Sequence, residues 1–60
     1  MTSQERAQLL QRMGGDAGMV CAAAERGEWP SARMYMNRFF AAAGILAMEI
    51  DENDPVEPGN

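Results

Sequence analysis

One stretch of this chain gathers the side chains best suited to recognition: Arg26-Gly27-Glu28-Trp29-Pro30-Ser31-Ala32-Arg33-Met34-Tyr35-Met36-Asn37-Arg38. It holds the only Trp, the only Tyr and three of the five Arg. Trp, Tyr and Arg are the residue types enriched at binding hot spots. An aromatic face beside a guanidinium also stacks a base while the cation takes a phosphate. Trp29, Arg33, Tyr35, Arg26 and Arg38 are therefore the candidate partner-binding or ligand-binding residues. The bland alternative has Trp29 closing the end of a helical bundle with Arg side chains lying over it.

Catalysis finds little to work with. The chain has no His, so neither a Ser-His nor a Cys-His pair exists. Its single Cys21 lies among Val20, Ala22, Ala23 and Ala24, an apolar setting that raises a thiol pKa and points to packing. Glu25 and Glu28 read as solvated carboxylates at a turn. Gly14-Gly15-Asp16-Ala17-Gly18 lacks the preceding strand, the Lys and the hydroxyl that a phosphate-cradling loop needs. One Cys with carboxylates alone makes a poor metal site. The expectation is a protein that is not an enzyme and uses no cofactor or metal.

Charge narrows the partners. The net charge is −4, but Glu49, Asp51, Glu52, Asp54 and Glu57 sit in the last twelve residues without a base. Residues 1–48 set five Arg against Glu5, Asp16, Glu25 and Glu28. A near-neutral body with an acidic tail lacks the basic patch that counterion release requires, which speaks against nucleic acid. The ten-residue apolar run Phe39–Met48 is about half of a membrane span, and the opening residues carry no secretory pattern. One unpaired Cys and six Met suit a reducing interior, so a cytoplasmic protein is expected.

These side chains need helices to position them. Thr2-Ser3-Gln4-Glu5 has capping-box spacing, and Ala7, Leu10, Met13, Ala17, Val20 and Ala24 then recur at helical steps. This predicts a helix over about 3–26. Gly14-Gly15 either kinks or breaks it; the in-phase stripe favours one bent helix, and Asp16 is a possible cap if it breaks. Gly27 ends the helix, a turn covers about 27–30, and Ser31 can cap a second helix over about 31–50. Ala32, Met36, Phe39, Ala43, Leu46 and Ile50 form its heptad seam. Residues 51–60 form an acidic disordered tail.

The fold class expected is all-α: a helical hairpin assembling as a homodimeric or larger bundle. From Phe39 to Met48 the second helix is apolar on every side, and one neighbour covers one side only. A 60-residue chain with no disulfide is also marginal alone, burying about 60% of its unfolded surface. The expected self-interface comprises Met36, Phe39, Phe40, Ala43, Gly44, Leu46, Ala47 and Ile50.

Two resemblances are of plan. With Met1-Thr2 and Gln4-Glu5 in common, the chain resembles the plasmid repressor-of-primer family, helical hairpins that dimerise into four-helix bundles. In size and design it also resembles the small helical proteins that phages and mobile elements direct against host machinery. The latter resemblance implies stoichiometric binding of a host protein. Asp51-Glu52-Asn53-Asp54-Pro55 resembles the calcium-binding linker of cadherins, which needs β-sandwiches on either side that this chain lacks. Three functions follow as expectations: an interaction protein that binds a partner protein, a sponge that holds a nucleotide signal between protomers, or a structural assembly part.

Overall fold

The computed structural model describes residues 1–54. It is an antiparallel hairpin of two helices, α1 (Ser3–Glu25) and α2 (Trp29–Asn53). Thr2 starts α1 through the capping box its sequence predicts. The Glu5 amide donates to Thr2 Oγ1 at 3.1 Å, and the Thr2 amide donates to Glu5 Oε1 at 2.9 Å. Two otherwise orphaned donors are satisfied. α1 then runs without a break through Gly14-Gly15, so no second start divides it.

The turn is shorter than expected. Gly27 takes φ 72°, a left-handed conformation that costs a glycine little. Its amide donates to Ala24 O at 3.0 Å and the Glu28 amide to Ala23 O at 2.9 Å, the paired bonds of a Schellman ending. α2 begins at once, with Glu28 at its N-cap and Pro30 in its first turn. Proline fits there because its fixed φ is helical and its missing N–H would be unpaired anyway. Ser31 is consequently inside the helix and is not its cap.

At the far end α2 continues to Asn53, three residues into the segment read as tail. Asn53 Nδ2 donates to Glu49 O at 2.7 Å. Asp54 precedes Pro55, and the residue before a proline is disfavoured in helical conformation, so the helix stops there. The rest of the expected disordered tail, residues 55–60, lies outside the described residues.

The two helices meet along a seam displaced from the apolar stripes. Leu9, Asp16 and Ala23 on α1 and Ala32 and Ala42 on α2 are buried. Arg6, Met13, Ala17, Val20, Ala22 and Ala24 on α1 and Ser31, Tyr35, Phe39, Ala43, Leu46 and Glu49 on α2 are half-buried, so the expected stripes are enclosed in part. Met36 and Ile50, expected in the seam, are exposed, and Ala43 is half-buried. The buried apolar set is only Leu9, Ala23, Ala32 and Ala42. Ala23 and Ala42 are 1% and 2% exposed, which brings the backbones close, and no large side chain is fully enclosed. Polar groups lock the register: Arg6 Nη2 lies 2.9 Å from Glu49 Oε1 at the open end, and Arg38 Nε lies 3.6 Å from Asp16 Oδ1 midway. The molecule measures 13 Å in its smallest extent, one helix thick.

Candidate functional site

The candidate binding residues divide into three groups. Trp29 opens α2 and is 66% exposed; Arg33 stands one turn further along the same side. They line an open groove of about 580 Å³ with Val20, Ala24, Met36 and Phe40. The groove runs on into a second depression between Ala17, Val20, Cys21, Met36 and Phe39. Because Val20 and Met36 border both, one apolar face extends along the hairpin. Ala43, Ala47 and Ile50 continue it at helical steps beyond Phe40.

Tyr35 and Arg38 belong elsewhere. Tyr35 is half-buried in the seam, with the Arg38 guanidinium carbon 5.7 Å from its ring centroid. The Arg38 Nε reaches Asp16, which is 5% exposed and whose Oδ2 is buried without a hydrogen-bond partner. Asp16, which would cap a helix only if α1 broke at Gly14-Gly15, is thus a carboxylate inside the seam. Arg26 stays in the turn and grips Glu28, with Nε 2.9 Å from Oε1 and Nη2 3.4 Å from Oε2. That hydrogen-bonded pairing holds the Glu28 carboxyl below its ordinary value and raises the Arg26 guanidinium. A base stacked on Trp29 would therefore meet Arg33 among the five Arg-and-aromatic candidates, with the other three committed to intrachain partners.

Of the residues expected to meet another copy, Met36, Phe40, Gly44, Ala47 and Ile50 are exposed, with Phe40 at 63%. Ala43 is half-buried at the edge of this face, and Phe39 and Leu46 turn toward α1. Phe39 and Phe40 meet edge to face at 6.3 Å, so the exposed ring is steadied by the half-buried one. Cys21 is exposed on the same face, contrary to its expected place in apolar packing. The stripe Ala17-Val20-Ala24 points into the groove, and Cys21 is carried out with it.

No family model, curated protein or solved structure matches the chain. What it does must be read from its own surface. Among the described residues no three His, Cys, Asp or Glu side chains stand together to hold a metal ion. No helix among them is long and apolar enough to cross a membrane.

Large apolar side chains are exposed off the open apolar face as well, with Met34 at 48%, Ile45 at 49% and Met48 at 66%. Met1, Glu5, Gln8, Leu9, Arg12 and Ile45 border a further depression. Sequence reasoning missed Asp16, Arg6 and Glu49 as register-setting groups. The signal was present: Leu9, Met13, Asp16, Val20 and Ala23 keep helical steps just as well as the apolar stripe beside them. A charge in that series reads as an interruption until its partner on the other helix is known.

Proposed function

We propose that this chain is a non-enzymatic interaction protein that acts by stoichiometric binding, through the open apolar face, to a partner protein. The supporting observation is an imbalance. The hairpin buries one Leu and three Ala as its core, while Trp29, Met36, Phe40 and Ile50 stand exposed along one face. Contiguous exposed apolar surface of this kind marks a protein contact. The aromatic-and-Arg pair Trp29 and Arg33 at its turn end has hot-spot chemistry. Inhibition of host machinery, which the chain's size and plan suggest, is one form of such binding.

The test is capture of a partner from an extract of the source cell by the wild type and by Met36→Ser/Phe40→Ser. Capture should be lost in the variant while its circular dichroism stays helical. Equal capture by both would remove the face from the binding surface.

A second reading rests on Trp29 and Arg33 sharing one groove: a sponge for a phosphate-bearing nucleotide. Quenching of Trp29 fluorescence by nucleotides, lost on Arg33→Ala, would support it. No quenching across common nucleotides would end it.

A further inference from the structure

We propose that a second copy of this chain covers the open face, its α2 antiparallel to α2 of the first, giving a four-helix bundle. This rests on the reading that the face docks protein, and it names the occupant. Trp29, Arg33, Met36, Phe40, Ala43, Ala47 and Ile50 follow one another in steps of four and three, a heptad seam distinct from the one facing α1. Size and charge along it are arranged for an antiparallel mate. Setting Phe40 opposite Ala43 of the second copy brings Met36 opposite Ala47, and Arg33 to Ile50 and the adjoining Asp51. Phe40 and Met36 each meet an alanine, and the Arg33 cation lies beside the Asp51 carboxylate.

A parallel pairing has none of this. It sets Phe40 on Phe40, Ala43 on Ala43 and Arg33 on Arg33, and gathers Asp51, Glu52 and Asp54 of both copies at one end. Like charges held together oppose that arrangement. A two-fold antiparallel contact makes every pairing twice, as closed dimers do.

Gly44 supplies an independent argument. It lies inside α2, where glycine costs about 1 kcal/mol relative to Ala. A Cβ built there meets nothing within 4 Å, so the hairpin itself gives no reason for it. In the antiparallel pairing Gly44 borders the notch that receives Phe40 of the second copy.

The test is native mass spectrometry and sedimentation equilibrium on the full chain and five variants. The wild type should be a dimer. Arg33→Glu and Asp51→Arg should each weaken it about tenfold, with the double exchange recovering most of the loss. Gly44→Leu should give a monomer with its helical circular dichroism retained. A monomeric wild type overturns the proposal, as does a dimer indifferent to both the charge reversals and Gly44→Leu. Met36→Ser/Phe40→Ser separates the two readings. A monomeric wild type whose partner capture this variant abolishes leaves the docking reading intact without self-association. A dimer that survives the variant overturns self-association through this face, and the docking reading falls only if partner capture survives it too.

Discussion

The seam between the two helices and the open face beside it are built from opposite materials. In the seam, alanines at 23, 32 and 42 let the backbones approach, while Arg6 with Glu49 and Arg38 with Asp16 fix the register. The open face sets Trp29, Met36, Phe40 and Ile50 among small residues such as Ala17, Ala24, Ala43 and Ala47, and Trp29 and Phe40 are mostly exposed. Hydrophobic burial scales with the apolar area removed from water. Most of what this chain has available for that purpose faces away from its own partner helix. The seam therefore decides how the helices align, and the open face leaves apolar area in water that the hairpin does not cover.

The sharpest way to break this contrast is a charge on the open face. Phe40→Asp should weaken association, whether with a second copy or another protein, by about 2 kcal/mol or more, roughly thirtyfold. Sedimentation equilibrium measures it. Association unchanged within a factor of three would mean that the exposed ring carries no binding.

Overfilling the seam tests its other half. Ala42 is 2% exposed, and a Leu there must push the helices apart, at a cost of about 1–3 kcal/mol. Ala41→Leu, one residue away on an exposed position, should leave thermal stability nearly unchanged. If both variants melt alike, the alanine seam is not the contact that aligns the hairpin.

A smaller effect should come from the midpoint ion pair. Arg38→Ala leaves the buried Asp16 carboxylate without its cation. An unsatisfied buried acceptor costs about 1–3 kcal/mol, and Arg38 is half exposed, so the lower end is expected. Adding Asp16→Ala should recover part of the loss, because the stranded charge is then gone. No recovery in the double variant would show that the pair does not act together. Gly14→Ala or Gly15→Ala should raise stability by slightly less, about 0.8–1 kcal/mol, since α1 is continuous and a Cβ there meets open space. A fall in melting temperature would mean that these glycines serve a contact outside the hairpin.

Local signals in the sequence were reliable guides to the elements. The capping box at Thr2, the helix-ending Gly27 and the helical stripes gave two helices joined by a tight turn. The rotation of those helices was not legible. Ala7-Leu10-Met13-Ala17 and Met36-Phe39-Ala43 point between the seam and the open face, as stripes do on helices with more than one neighbour. Taking them as the seam leaves Asp16, Glu49 and Arg6 without a place in it and assigns Cys21 to the interior. The candidate site suffered in the same way. Trp29, Arg33, Tyr35 and Arg38 are close in sequence, yet a helix sends residues 33 and 35 to different sides. Only the pair spaced by one turn, Trp29 and Arg33, shares the groove.

The gentlest probe of the contrast is acid, which should loosen the start of α1 while sparing the groove around Trp29, Met36 and Phe40, which no acid lines. Glu5 accepts from the Thr2 backbone and side chain, and these bonds hold its carboxyl below its ordinary value. A carboxyl depressed in the folded state contributes stability that is complete above its unfolded pKa and lost as pH falls through the folded one. The loss should therefore begin below about pH 4.3, the unperturbed Glu value, and become complete only at still lower pH. Glu28, held by Arg26, should follow the same direction at the turn. Titration of the Thr2 and Glu5 amide shifts by NMR reads the first event, and Thr2→Ala should return the Glu5 midpoint toward its ordinary value. A Glu5 midpoint already at the ordinary value in the wild type would mean that the capping box is not populated in solution, and α1 would then begin later than Ser3.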